Sequence, residues 1–236
     1  MAKAIAQRGA KVHCFDRLVH PDPEFSVLQR EAEGARGSLH YHHVDVRSRR
    51  VLDQIIADFV SKSGRIDGLV AASGVQRAKA AIDYTSQEVS ELLHINYTGA
   101  FMPANAVARQ MIRHRQGGSI VLVASMSGLI ANKGLNCAVY NSSKVAVIQL
   151  ARNLAIEWGR SGIRVNALCP GHIITPMVQQ NLAEVPGLKQ IWEHENMLGR
   201  LAAPEEFAGA IVFLLSEASS FMTGTSVVID GGHTAW

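Results

Sequence analysis

The stretch IVLVA, residues 120–124, is apolar at every position. A strand with one face in water alternates apolar with polar side chains. A run without alternation therefore belongs to a strand covered on both faces, as in a parallel sheet flanked by helices. Comparable short runs stand at Val12–Phe15, Leu39–Val44, Gly68–Ala72, Val165–Leu168 and Val227–Ile229. Helix-length stretches lie between them at Phe25–Glu33, Arg49–Ser63, Thr85–Arg115, Tyr140–Gly159 and Pro204–Ser216. That order predicts an α/β fold built on a doubly wound parallel sheet. Local signals agree. Thr85 with Glu88 forms a capping box, and Pro204 with Glu205 and Glu206 opens a helix with acids at the positive end of its dipole. The segment Ile173–Arg200 carries Pro176, Pro186 and Gly187 with little periodicity, and reads as a helical excursion or lid.

The chain has 236 residues, 47% of them hydrophobic, which suffices for a sizeable core; no linker, repeat or low-complexity tract divides it, so one domain over 1–236 is expected. The formal charge is +3, but Lys and Arg are interspersed with acids and form no polybasic run, which argues against a nucleic-acid partner. Cys14, Cys137 and Cys169 lie far apart in apolar or strand-like settings. They suggest neither a disulfide framework nor a CxxC metal site, and a reducing, cytoplasmic setting fits them best. The apolar start is too short and too alanine-rich for a signal segment, and no run reaches membrane-spanning length, so no membrane partner is expected. In HYHH, residues 40–43, His40 and His42 share one strand face and His43 takes the other. With no acid or cysteine at metal-ligand spacing, these read as strand or surface histidines and no metal site is expected. Met177, Met197 and Trp192 in the lid either line an apolar pocket or pack the lid.

Chemistry concentrates in SMSG at 125–128 and YNSSK at 140–144. Tyr140 and Lys144 are one helical turn apart, so both side chains emerge on one face at the start of a helix. A phenol with a pKa near ~10 is a poor base at neutral pH, and a neighbouring ammonium favours its ionised form. Tyr140 can then exchange a proton with an alcohol or carbonyl. Ser127 follows the strand at 120–124, at the carboxyl end where ligands of open α/β sheets bind, and can hold the substrate oxygen. Taken singly these are ordinary turn and helix-surface residues; their joint placement favours a site.

These motifs and their spacing resemble the short-chain dehydrogenase/reductase family, in which a serine precedes a YxxxK tyrosine and lysine. HINYTGAF at 94–101 resembles the segment whose asparagine, here Asn96, holds a water in the proton relay. CPGHIIT at 169–175 resembles the PGxxxT element that touches the nicotinamide, and GRLAAPEEFAGAIVFLLSEASSFMTGTSVVIDGG resembles the carboxyl-terminal signature. The resemblance runs from the first residue to Gly232. It implies a Rossmann-like fold and hydride transfer between NAD(P) and a small-molecule secondary alcohol or ketone. SMSG, YNSSK and LARNLAIEWG look most like fungal polyol dehydrogenases and ketose reductases, implying a polyol or ketose.

By this resemblance Asn96, Ser127, Tyr140 and Lys144 are the catalytic residues. The cofactor-binding set it implies is Asp16, Asp45, Val46, Ala72, Gly74, Tyr140, Lys144, Pro170, Gly171, Ile173 and Thr175. Asp45 would contact the adenine ring and Asp16 the adenosine ribose hydroxyls. A carboxylate at the ribose favours NAD over NADP, whose 2′-phosphate would meet its charge, while Arg17 beside it keeps NADP as the alternative. The helices at Thr85–Arg115 and Tyr140–Gly159 correspond to those that pair across subunits, implying a homodimer or homotetramer.

Two departures stand out. AASG at 71–74 replaces the family's NNAG turn, keeping Gly74 but lacking the asparagine amides that tie neighbouring strands. MAKAIAQRGAKVHCFD, residues 1–16, corresponds to the family segment immediately after the TGxxxGxG loop, a helix tail with a capping Gly9 and then a strand. Without the preceding strand, a gap of about 10 Å, two strand spacings, is expected between the strands at Val12–Phe15 and Gly68–Ala72, and the 236-residue chain is expected to bind dinucleotide weakly. A start placed too far downstream, a truncated isoform and a degenerate homologue all fit. The alternative functional reading is a non-catalytic family member that binds partners through its helices.

Overall fold

The computed structural model describes residues 1–236. Its strands are β1 (Lys11–Asp16), β2 (Ser38–His43), β3 (Gly68–Ala71), β4 (Gly118–Val123), β5 (Ile163–Pro170) and β6 (Ser226–Ile229). Its α-helices are α1 (Ala2–Ala6), α2 (Phe25–Gly34), α3 (Arg49–Ser63), α4 (Ser86–Leu93), α5 (Gly99–His114), α6 (Ala138–Trp158), α7 (Pro176–Glu184), α8 (Leu188–His194) and α9 (Ala208–Leu215). Every strand pairing is parallel. The IVLVA stretch explains why: Ile120 and Leu122 of β4 point into the large core with α3, α5 and α6, Val121 points into a second core with Phe207, Ile211 and Leu214, and all three are fully buried. Both faces of the strand are covered, so no polar position is tolerated.

The ladders form two sheets, β1-β2 and β3-β4-β5-β6, with no hydrogen bonds between β1 and β3. Helices hold the halves together. Leu52 and Ile56 of α3 share a core with Val107 and Met111 of α5, and Ile5 of α1 packs against the α9 core. Gly9, at φ +84°, turns the chain from α1 into β1, a conformation that costs glycine little. On one face of the small sheet Leu39 packs with Ala6 and Ala32. The other face brings His13 and His42 together, Nδ1 to Nε2 at 2.8 Å, with His13 stacked on Phe59 of α3. Burial, reinforced by His42, pushes His13 down to about 4, so at neutral pH the pair shares one proton in a neutral hydrogen bond.

The stretch Thr85–Arg115 is not one helix. A π-helical turn at His94–Thr98 separates α4 from α5, and Arg115, at φ +53°, ends α5. HINYT contains no glycine or proline, so nothing in its composition marks the break. The capping box at Thr85 is present, with the Glu88 N–H donating to Oγ1 at 3.2 Å and Glu88 Oε2 accepting from the Thr85 N–H at 2.9 Å. The segment Ile173–Arg200 folds into α7 and α8, as expected of a helical excursion. No helix is long and apolar enough to cross a membrane.

Strands β4 and β5 are hydrogen-bonded on both edges, β1 and β3 on one. Amide hydrogen exchange should therefore be slowest in β4 and β5 and markedly faster in β1 and β2. Equal protection of β1 and β5 would mean that the small sheet is not the weaker unit.

Candidate active site

All strands being parallel, their carboxyl ends emerge together, and the predicted residues follow them: Asp16 ends β1, Asp45 and Val46 follow β2, Ala72 and Gly74 follow β3, Ser125 and Ser127 follow β4, and Pro170 ends β5 with Gly171, Ile173 and Thr175 just beyond. At the centre is Asn96, placed inward by the π turn and 1% exposed. Its Oδ1 accepts the Val75 N–H at 2.8 Å, and its Nδ2 donates to the Val75 carbonyl at 3.0 Å and to Ser143 Oγ at 2.9 Å. The Ser143 hydroxyl in turn donates to the Tyr140 carbonyl at 2.6 Å. Asn96 thus joins the loop after β3 to the first turn of α6.

Lys144 is 5% exposed, and its Nζ donates to the Val123 carbonyl at 3.0 Å. Nζ also lies 5.6 Å from the centroid of the Tyr140 ring. Gly74 is wedged between these groups: a Cβ there would sit 3.3 Å from Lys144 Nζ and 3.6 Å from Asn96 Oδ1. Burial lowers Lys144 to about 8, so it carries its charge at neutral pH but only just. Burial raises the Tyr140 phenol above its ordinary value, and the Ser125 hydroxyl pulls it partly back. Desolvation is the largest influence on the phenol, and it opposes the ionised form that the YxxxK spacing leads one to expect.

The serine beside the phenol is Ser125, not Ser127. Ser125 caps the single 3-10 turn Met126–Gly128, its Oγ accepting the Ser127 N–H at 3.1 Å, and Ser127 is buried within that turn. Counting back from the tyrosine selects Ser127, whereas the hydroxyl that acts on the phenol is that of Ser125. The capping geometry selects Ser125, since the residue before a turn keeps its hydroxyl at the strand end. Ser143 was legible only as a member of YNSSK. A serine one turn after the tyrosine can bond back to its carbonyl, and that is its part here.

The outer residues divide. The Asp16 carboxylate is exposed, accepts only the Leu18 N–H at 2.9 Å, and makes no ion pair with Arg17. Asp45 is instead engaged by Arg47, with Nη2 to Oδ2 at 2.6 Å and Nε to Oδ1 at 2.9 Å, which holds its carboxyl at about 2. Val46 packs near Gly99 at the start of α5. A Cβ on Gly171 would fall 2.6 Å from Asp230 Cα, so only glycine lets the chain end pack there. Ile173 pairs with Ala202, and Thr175 caps α7 through Val178. This donor set suits a dinucleotide. Lys144 has N–H groups beyond the one given to Val123, and Asp16 has acceptor capacity for vicinal hydroxyls.

Residues 1–234 match the family model described as enoyl-(acyl carrier protein) reductase. The chain is 40% identical over 242 residues to the short chain dehydrogenases/reductase notP′ of Aspergillus versicolor, covering all of this chain and 82% of that protein. It is 35% identical over 247 residues to the ribulose-forming D-arabinitol 2-dehydrogenase of Candida albicans, covering all of this chain and 88% of that protein. Among solved structures, a short-chain type dehydrogenase/reductase from Mycobacterium marinum superposes with a TM-score of 0.91 at 36% identity, covering all of this chain and 90% of that one. These relatives are named as enzymes, which favours catalysis over the non-catalytic alternative.

The buried ammonium gives a stability signature. With the folded pKa of Lys144 near 8 and the unfolded one at the ordinary value of 10.5, the unfolded chain holds the extra proton between them, so stability rises with pH through that window and is lost as pH falls through 8. Tyr140 and Cys169 stay protonated across most of it, because burial raises both. Measured by denaturant midpoint, the wild-type chain should gain on the order of 3 kcal/mol or less relative to Lys144→Met between about pH 8 and pH 10. A constant difference would place Lys144 in water.

Proposed function

Because the chain belongs to the short-chain dehydrogenase/reductase family, we propose that this NAD(P)-dependent oxidoreductase interconverts a secondary alcohol and its ketone, with a polyol or ketose as substrate. What carries the reading is the convergence of Ser125, Tyr140, Lys144 and Asn96 at the carboxyl ends of β3 and β4. The dinucleotide, when bound, supplies or accepts the hydride. Asp16 holds its adenosine ribose, Lys144 its nicotinamide ribose, and the loops at Gly74 and Gly171 border it. The substrate oxygen rests between the Ser125 hydroxyl and the Tyr140 phenol, and Tyr140 Oη transfers the proton. Asn96 positions α6 and the loop after β3 against each other, so that Lys144 stays beneath the tyrosine. Ser125 takes the role assigned to Ser127 from spacing, because its hydroxyl is the one at the phenol. The similarity to a D-arabinitol 2-dehydrogenase supports the polyol class.

Asp16 makes NAD the preferred cofactor, since its free carboxylate accepts from two ribose hydroxyls and repels a 2′-phosphate. Residues 1–236 act as one domain. The free thiols suit a reducing, cytoplasmic setting. Apolar side chains left in water on α6, among them Val145 at 50% and Ile156 at 83% exposure, are the surface through which copies pair as a homodimer or homotetramer.

Tyr140→Phe should lower kcat by at least about 100-fold with cofactor binding retained, and Ser125→Ala should cost far more activity than Ser127→Ala. Near-normal turnover in Tyr140→Phe sinks the assignment. The raised phenol pKa sets a direction as well: alcohol oxidation, which needs an ionised Tyr140, should climb with pH through and above neutrality, while ketone reduction should not. NADH should outperform NADPH in kcat/KM, with the ratio narrowed in Asp16→Ala; a wild-type preference for NADPH would give the site to Arg17.

A further inference from the structure

Four buried side-chain nitrogen or oxygen atoms lack a hydrogen-bond partner, and three of them belong to one cluster: His172 Nε2, Trp192 Nε1 and His233 Nδ1. The three side chains come from separate parts of the chain, the loop after β5, α8 and the carboxyl-terminal tail. The Trp192 indole stacks on the His172 ring with centroids 3.7 Å apart at 10°, and His233 meets His172 edge-on at 5.3 Å and 88°. Trp192 is 2% exposed and His233 8%. The tail is firmly held. Asp230 accepts from the Gly232 N–H at 2.9 Å and the Thr234 N–H at 2.8 Å, and the Leu198 N–H donates to the Gly231 carbonyl at 3.2 Å. The cluster is therefore built, and each unpartnered atom in it costs about 1–3 kcal/mol unless something polar reaches it.

We propose that His172, Trp192 and His233 form a subsite that reads a hydroxyl of the substrate remote from the reacting carbon. The chemistry of the three atoms selects that group. Trp192 Nε1 only donates, so its partner must accept. His172 is neutral, pushed by burial down to about 3, so its ring offers one donor and one acceptor. No Lys or Arg joins the cluster, whereas Glu195 stands 4.0 Å from His233 Nε2 and Asp230 lies close to both imidazoles. An anion would be repelled there, and a cation would face the indole N–H. A hydroxyl both donates and accepts, and carries no charge. Trp192 belongs to the core formed with Leu135, Cys137 and Leu188, and Tyr140 packs against that same core, which links the subsite to the reaction centre through shared packing. It rests on the proposal that the substrate is a polyhydroxylated secondary alcohol.

A water molecule could offer the same hydrogen bonds, and the test separates the two sources. The full chain, labelled with nitrogen-15 at tryptophan, is titrated with D-arabinitol and with cyclopentanol, which has one hydroxyl, with NADH present to prevent oxidation. The Trp192 indole resonance is assigned by its loss in Trp192→Phe, or by subtraction with Trp158→Phe and Trp236→Phe should that variant not fold. It should move saturably with D-arabinitol and stay in place with cyclopentanol. Trp192→Phe, or His172→Phe, should narrow the kcat/KM preference for D-arabinitol over cyclopentanol by about tenfold, the loss of one hydrogen bond. An indole resonance unmoved by D-arabinitol, or moved equally by both alcohols, assigns the site to water and overturns the proposal. If the resonance moves but neither alcohol is oxidised with NAD(P), the subsite stands and the proposed reaction falls; if D-arabinitol is oxidised without that movement, the reverse holds.

Discussion

The amide of Asn96 treats Val75 as a strand treats its neighbour, accepting its N–H and donating to its carbonyl. It does so at 1% exposure, where water cannot take over either bond. The remaining amide hydrogen goes to Ser143, and through it to the Tyr140 carbonyl. One side chain therefore sets the loop that carries Gly74 against the helix that carries Tyr140 and Lys144. Gly74 packs closely there: a Cβ would stand 3.3 Å from the lysine nitrogen, which would have to shift to admit it. The π turn between α4 and α5 makes this possible, since an extra residue rotates the side chains and brings Asn96 inward.

The strands were legible because burial on both faces leaves a direct mark on composition, as at Ile120, Val121 and Leu122. The capping box at Thr85 and Glu88 was legible because its two bonds lie within four residues. The π turn was not, since HINYT contains no glycine or proline to mark a change of helix type. The choice between Ser125 and Ser127 also lay beyond spacing. It depends on which hydroxyl a single 3-10 turn leaves at the strand end. Asp45 reads as a binding residue by position, yet the neighbouring Arg47 takes its carboxylate, a local pairing that a motif match does not weigh. The His172–Trp192–His233 cluster joins segments far apart in the chain, and only folding brings them into one place.

The electrostatics of the centre run against a simple reading of YxxxK. Desolvation acts on both partners, lowering the lysine and raising the tyrosine, so the pair moves toward two neutral groups. A protonated phenol flanked by the Ser125 hydroxyl is a proton donor first. The same burial that makes Lys144 easy to discharge keeps it in place, because its one hydrogen bond, to the Val123 carbonyl at 3.0 Å, ties it to the end of β4.

The divided sheet has a consequence for recognition of a long ligand. On the proposed assignments, the group that grips the adenosine end sits on the β1-β2 ladder and the groups that grip the nicotinamide end sit on the other. No continuous hydrogen-bonded ladder sets the distance between them; side-chain packing does, with Phe15 of β1 and Val44 beyond β2 seated against the large core. The two half-sites then behave as tethered binding modules, with the overall affinity governed by the effective concentration that the tether imposes on the second contact once the first is made. Stiffening the helix contacts between the two ladders would tighten binding of the whole dinucleotide without adding a single contact to either end, while leaving the affinity for an isolated half, such as AMP, where it was.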